Sequence, residues 1–548
     1  MKLHPVPQAR PTPQQAAWQQ MELGLFIHWF PMGWYHDIDQ PRLSDAAYRA
    51  ELLARCTCAT LDTRQWVRSA TDLGAKYLVF VAKHALGFCA WQTDEGDFNM
   101  KRIPWKNGRG DVVAELAASC REAGIRLGIY LAADTMVMDA GARGLTRDPA
   151  RQAEYTRVYR AWLKELLTRY GDIVEVWFDG YLAIEVGDIL QNYAPRVMVF
   201  QSPYATIRWV GQEEGYAADP AWHAVWRQDA LSGVATQRHG DPDGDTWLPL
   251  ECDARLRRDW GFHHDLADNP LRSLDELLAM YYGSVGRGAV LLLNQAPHPQ
   301  GHILPEDMAR MKELGDEIRR RFARPLASGS GSGAVVELDL GGPKEIDHVM
   351  LQEDISQGQR VRAYRVAARS GGQWRAVCAG SAIGYKKIDC FEPLSAEALR
   401  FTALESAGTP ILRTLAAFRA GRPPAALRPL DSAWIAVGEW GSGQFDHGSC
   451  QADWTFNLSP YLPEAGQYAL RFAQHPGYHD ALRLNRVWLE VDGVPQDSYL
   501  SSGPDALGFA LYLPAVGRQV ALRAQSSRYD HPPHLRGQLL LRRADPNA

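Results

Sequence analysis

Asp179 is the residue in this chain best placed to do chemistry. It follows the run Ile173, Val174, Glu175, Val176, Trp177 and Phe178, an apolar strand broken only by Glu175, and Gly180 comes directly after it. A carboxylate at the rigid end of a buried strand is held in one place, and a neighbouring glycine lets a second molecule approach. An Asp after a strand can also serve only as the cap of the next helix. The other polar residues at the ends of apolar runs favour chemistry. They are His28 and Trp29, Lys83 and His84, Tyr130, Glu251 and Asn294, with Glu213 and Glu214 on a loop reading "RWVGQEEG".

This is a set of carboxylates, imidazoles and aromatic rings. None of the 8 Cys forms a CxxC pair and His28 has no HxH partner, so no metal is expected. No GxGxxG or GxxxxGK run follows a strand, and no cofactor is expected. Cleavage of a glycosidic bond uses two carboxyl groups, one as nucleophile or base and one as acid with a raised pKa. Asp179 fits the first role; Glu213, Glu214 and Glu251 are the candidates for the second. Taken singly, each Glu reads as readily as a solvated surface residue, and His28 and His84 as ordinary hydrogen-bonded side chains. Tyr130, Trp29 and Trp177 read as readily as core packing.

Strand-like runs at 23–30, 75–85, 125–132, 173–179, 196–202, 247–252 and 288–297 must position these residues. Most are apolar without alternation, as strands buried on both faces are. Between them lie helical patterns such as 111–125 and 158–172, which stop at Gly124 and Gly171. The repeated β-then-α order predicts the α/β class and a (β/α)8-type barrel, with a doubly wound sheet as the alternative. In such a barrel the site lies at the C-terminal ends of the strands.

A chain of 548 residues holds several domains. The Gly/Ser segment Ser328 to Gly333 reads as a linker or turn, and "GRPPAALRPLDS" (421–432) as a second break. Short strand signals at about ten-residue intervals follow each. The expected domains are therefore 1–325, the barrel; 326–425, a discoidin-like or carbohydrate-binding-like β-sandwich; and 426–548, a second β-sandwich of carbohydrate-binding type.

The net charge of −5 gives no reason to expect a nucleic-acid or anionic-membrane partner. No apolar run approaches the ~20 residues of a membrane helix. "MKLHPVPQARPTPQQ" has no apolar leader core, so the chain as written reads as cytoplasmic, or as periplasmic or secreted if a leader was removed. The 18 Trp leave sugar-binding platforms open as a use for some of them.

Several ordered blocks carry a resemblance. They are "ELGLFIHWFPMGWY", "AKYLVFVAKHALGFCAWQTDEGDFNM", "DVVAELAASCREAGIRLGIYLA", "EVWFDG", "WLPLECDARLRRDWGFHH" and "SLDELLAMYYGSVGRGAVLLLNQAPHPQGHILPEDMARMKELGDEIR". Across nearly all of 18–320 the chain resembles the α-L-fucosidases of glycoside hydrolase family 29. It looks most like the plant-like branch that removes α-1,3/4-linked fucose. The block beginning "HVMLQEDISQGQRVRAYRVAARSGGQW" is similar to that branch's C-terminal sandwich.

The resemblance implies an exo-acting, retaining, double-displacement hydrolase whose substrate is a fucosylated oligosaccharide or glycoprotein glycan. It implies Asp179 as nucleophile and Glu213 as acid/base, with Glu214 its neighbour. Glu251 is the rival, because other members carry the acid/base near the seventh strand. His28, His84, Tyr130 and Trp177 would hold the sugar, with Trp29 beside His28 and Trp260 at the border. Two departures stand out. "AKHALGF" has Ala85 and Leu86 where the family has a second His and an acid, and "FPMGWYHDIDQ" lacks a GPxS-like run. Loss of hydroxyl-binding partners can change which sugar fits. The alternatives are thus a related sugar, such as an α-L-galactoside, or a non-catalytic carbohydrate-binding protein.

Overall fold

A computed structural model describes residues 1–7, 9–211, 213–230, 240–424, 435–441, 451–459, 462, 466–474, 483–496, 500–502, 508–513, 519–527 and 536–543. The chain forms two compact units, Met1–Leu427 and Arg428–Ala548.

Eight parallel strands make a barrel in the first unit. They are β1 (Leu23–Ile27), β2 (Tyr77–Lys83), β3 (Arg126–Leu131), β4 (Ile173–Trp177), β5 (Met198–Phe200), β6 (Arg208–Trp209), β7 (Leu250–Arg255) and β8 (Val290–Gln295). The sheet runs β5-β4-β3-β2-β1-β8-β7-β6, so β8 returns to pair with β1. Between β5 and β6 a single bridge, Phe200 to Ile207, nearly closes the ring. Amphipathic helices cover the outside. Thr63–Leu73 starts on the Asp62 carboxylate and stops at Gly74 (φ 95°); Val112–Ala123 starts on Asp111 and stops at Gly124 (φ 71°). Asp caps the first turn and left-handed Gly ends the last, the usual chemistry of helix ends.

Two details depart from the sequence reading. The two-residue β6 falls where a loop was expected. The strand expected at 247–252 lies three residues later, at Leu250–Arg255.

Strand parity selects what faces the barrel interior. On β1 it is Gly24 and Phe26, then His28. A Cβ on Gly24 would lie 2.4 Å from Cζ of Tyr77, so the glycine makes room for a ring crossing the barrel floor. On β2 the ladder shifts between Val81 and Lys83. Lys83 then turns outward, donating to the Ala132 and Asp134 carbonyls. His84 turns inward to stack on Tyr130. Such irregularities re-aim side chains near sites.

The Gly/Ser segment is a strand, not a linker. Ala327–Ser332 (β9) pairs antiparallel with Ile411–Phe418 (β14). Its glycines leave space for Val336 and Leu338, which would lie 2.9 and 3.2 Å from added Cβ atoms. β9 joins Val335–Glu353 (β10), Val361–Ser370 (β11), Gln373–Gly380 (β12), Lys387–Ser406 (β13) and β14 in one sheet, to which Lys2–Leu3 adds a seventh strand. The ladder between β10 and β13 is interrupted twice, at Asp339–Lys344 and at Ile346–His348. A core including Val349, Leu351, Tyr364, Phe401 and Leu415 fills the domain.

In the second unit, a five-stranded and a four-stranded antiparallel sheet share a core with Trp454, Phe456, Leu470, Phe472, Leu522 and Leu539. Trp454 is therefore core. In the first sandwich Trp374 carries the Arg400 guanidinium 3.9 Å from its ring centre. Trp434 and residues 425–432 of the proline-rich break lie outside the described residues. No described helix is long and apolar enough to cross a membrane.

Gly24→Ala should lower stability by about 1–3 kcal/mol, the usual cost of overpacking a filled core. A drop in unfolding midpoint checks this; an unchanged midpoint would mean that Tyr77 can move aside.

Candidate active site

Five strands deliver side chains to one end of the barrel. His28 follows β1, His84 follows β2, Tyr130 lies near the end of β3, Asp179 stands two residues past β4, and Asn294 is on β8. These are the C-terminal ends of parallel strands, where barrel enzymes place their chemistry.

Asp179 leaves its strand at φ 52°. Asp tolerates this left-handed conformation better than most non-glycine residues. The Gln201 side chain accepts from the Gly180 amide and so holds the turn. The Tyr130 hydroxyl donates to Asp179 Oδ2 at 2.6 Å. Solvent reaches Asp179, yet the protein around it is dense enough for desolvation to dominate. Burial pushes its pKa up to about 6; the Tyr130 hydrogen bond opposes the rise, and the charges of Asp134 and Glu213 add to it.

Glu213 is the partner carboxylate. It stands at the pocket lip, 36% exposed, and Oε2 lies 3.7 Å from Arg255 Nη1. The Trp260 indole donates to the same oxygen at 3.0 Å. Trp260 also packs on His28, with ring centres 5.1 Å apart, and on Phe26 at 5.9 Å. The indole thus ties the carboxylate to the pocket wall.

His28 and His84 form that wall. The His28 Nδ1 lies 2.7 Å from Asn294 Oδ1, and His84 Nδ1 lies 2.5 Å from the Tyr35 hydroxyl. His84 stacks on Tyr130 at 5.3 Å with 7° between the planes. Burial lowers both imidazoles to about 3, helped for His28 by His84 and for His84 by the Lys83 charge. Both are neutral at ordinary pH. The site therefore pairs one positioned carboxylate with a second and with neutral hydrogen-bonding rings, the equipment for opening a glycosidic bond.

The α-L-fucosidase family profile matches residues 5–320, more than half of the chain. The chain belongs to the α-L-fucosidase family. It is 29% identical over 443 residues to "Alpha-L-fucosidase 1" of Arabidopsis thaliana, covering 71% of this chain and 83% of that one. A crystal structure of a Bacteroides thetaiotaomicron protein is 32% identical, with a TM-score of 0.68, over 75% of this chain and 99% of that one. A glycoside hydrolase family 29 member from a rumen bacterium is 26% identical, with a TM-score of 0.65, over 96% and 97%. The protein is thus a glycoside hydrolase, and the barrel-plus-sandwich architecture is that of its relatives.

The α-L-fucosidase barrel leaves four of the expected site residues outside the pocket. Trp29, one step from His28, points to the other face of β1; it packs on Trp66 at 5.8 Å and donates to the His298 carbonyl. Glu251 sits at the start of β7, not its end, because the strand lies three residues later than expected. It is fully buried on the barrel floor, accepting from Tyr77 at 2.7 Å and from Trp177 at 2.8 Å. Glu214 is buried between Arg255 (2.7 Å) and Arg272 (3.0 Å). Trp177 lies beneath the site, stacked on Phe200 at 3.6 Å.

Residues that the sequence reading did not single out complete the site. Trp34 and Tyr35 surround His84, Gln201 holds the turn after Asp179, and Arg255 approaches Glu213. For Tyr35 a signal existed, since it lies in the segment "FPMGWYHDIDQ" that departs from the family pattern. The other departure is benign at one position: Leu86 is fully buried in the core.

A carboxylate nucleophile must be ionised, so with Asp179 in that role kcat/KM for an aryl α-L-fucoside should fall as pH drops through about 6. Tyr130→Phe removes the hydrogen bond that opposes the rise. It should move this acidic limb to higher pH and lower the plateau about tenfold. A limb that stays in place would show that Tyr130 does not tune Asp179.

Proposed function

We propose that this enzyme is an exo-acting, retaining α-L-fucosidase in which Asp179 is the nucleophile and Glu213 the acid/base. The observation that carries the reading is the pairing of Asp179, aimed from the end of β4 and held by Tyr130, with a Glu213 close enough for its charge to act on Asp179.

In the first step Asp179 Oδ attacks the anomeric carbon while a protonated Glu213 gives its proton to the departing glycosidic oxygen. A covalent fucosyl-enzyme forms and the aglycone leaves. In the second, Glu213, now a carboxylate, takes a proton from water as that water attacks the same carbon and releases Asp179. Two inversions retain the configuration. His28, His84 and Tyr130 hold the sugar, and Trp260 keeps Glu213 beside the bond that breaks.

Glu213 suits the acid/base role better than its rivals. It alone of the three glutamates is open to solvent and leaving group. Glu214 is tied up by two arginines, and Glu251 lies below the pocket. Likeness to the Arabidopsis relative, and the "RWVGQEEG" block, support α-1,3/1,4-linked fucose on an oligosaccharide or glycoprotein glycan as substrate.

The test has two parts. An aryl α-L-fucoside should be turned over at least about tenfold faster than the matching α-L-galactoside; the reverse order would assign a different sugar. Asp179→Ala should abolish turnover. Glu213→Ala should cost about 10²–10⁴-fold on a substrate with a poor leaving group and far less on one with an acidic phenol, since general acid help matters only for the former. If Glu251→Gln instead showed that leaving-group pattern, Glu213 would be the wrong assignment.

A further inference from the structure

We propose that Tyr35 and Asn294 are positioning residues that fix opposite tautomers on the two pocket histidines, so that His84 offers the sugar an N–H donor and His28 offers it an acceptor lone pair. The inference rests on the proposed reading that these rings face a sugar.

For His28 the chain of bonds begins at a carbonyl, which can only accept. The Asn294 Nδ2 donates to the Trp260 carbonyl at 2.9 Å, which fixes the orientation of the amide. Its Oδ1 therefore faces His28 Nδ1 at 2.7 Å and must accept. The proton of neutral His28 is then on Nδ1, and Nε2 is a bare acceptor.

For His84 the logic runs the other way. The Tyr35 phenol stays protonated, because burial and the Asp134 and Asp179 charges all oppose its ionisation. A phenol O–H is a stronger donor than a neutral imidazole N–H and a phenol oxygen a weaker acceptor than an imidazole nitrogen, so across the 2.5 Å contact the hydroxyl donates to His84 Nδ1. Nδ1 accepts, so the proton of neutral His84 is on Nε2. Neither Nε2 has a hydrogen-bond partner among the described residues, and neither is among their buried unpaired atoms. Both nitrogens face open pocket.

The rings stand side by side on one wall, 6.0 Å apart, so a sugar lying against that wall meets a donor from one ring and an acceptor from the other. The hydroxyl facing His84 must accept and the one facing His28 must donate. With Ala85 in place of a second pocket His, this pair carries more of the discrimination, and Tyr35 comes from the segment that departs from the family pattern.

The tautomers can be read directly in the ligand-free full chain. Nitrogen–proton correlation spectra of isotope-labelled histidine separate the two neutral tautomers from each other and from the cation; His28→Gln and His84→Gln assign the signals. The expected result is Nδ1–H on His28 and Nε2–H on His84. Tyr35→Phe should convert the His84 signal to a mixture of tautomers, with kcat/KM for the aryl fucoside falling about tenfold. The same tautomer on both rings, a cationic ring at neutral pH, or a His84 pattern unmoved by Tyr35→Phe would overturn the inference. If that variant fails to fold, the wild-type spectrum decides. Absence of fucoside turnover by the wild type would count against the proposed function; the spectra would still decide the tautomers.

Discussion

A carboxyl group inside the barrel supports the floor of the site. Glu251 accepts from the Tyr77 hydroxyl and the Trp177 indole, and beside it Glu175 accepts from the Trp18 indole. Two charged carboxylates could not share this dry space. Burial, then the neighbouring Glu175, raises Glu251 far above its usual range, and burial raises Glu175 to about 7. Among the described residues Glu175 Oε1 has no hydroxyl or N–H partner, and a hydrogen bond between it and Glu251 needs a proton on one of the two acids. A protonated acid can donate as well as accept, so this junction crosses the barrel where an aliphatic side chain could only fill it. Trp177, fixed from below, stacks on Tyr130 at 5.8 Å, and Tyr130 holds Asp179. Asp179 thus rests on a chain of rigid planar groups rather than on its loop alone.

Much of this was legible, because strand parity and strand ends are written in side-chain types. The run that ends at Asp179 is apolar and the carboxylate after it is conspicuous, so the strand and the placement of Asp179 at its end follow from sequence alone. The barrel followed from repeated strand and helix patterns. Glu251 was misplaced for a local reason. "WLPLEC" looks like a strand ending at an acid, but the letters 247–249 precede the strand. The barrel instead uses Glu251, Asp253 and Arg255 as inward-facing residues. An apolar pattern does not reveal a strand whose inward face is charged. Ser328–Gly333 misled for the opposite reason: nothing in a Gly/Ser run announces a strand whose small residues exist to admit Val336 and Leu338.

The altered residues after β2 show how a local sequence difference is absorbed by structure. Leu86 enters the core, and an ionisable side chain there would be buried without water. The wall beside His84 is built from the other departing segment, through Trp34, 5.7 Å from the imidazole centre, and Tyr35. Neither departure is interpretable alone. Together they describe a pocket in which one histidine, supported by a phenol and an indole, stands where the family pattern has two.

Adjacent carboxylates at the pocket lip take different roles because of where the arginines lie. Glu213 and Glu214 have the same chemistry and neighbouring positions, yet Glu214 turns inward to Arg255 and Arg272. Breaking such a buried set would leave uncompensated charge, so Glu214 is committed to holding Arg255 at the end of β7. Arg255 in turn lies 3.7 Å from Glu213 and over the Trp260 ring at 5.5 Å. One glutamate is thus consumed in orienting the groups that position the other. The remaining carboxylate keeps solvent access and, among the described residues, one close donor, the Trp260 indole. The acid/base role proposed for Glu213 calls for that freedom, since a carboxylate held by two guanidinium groups would not readily take up a proton.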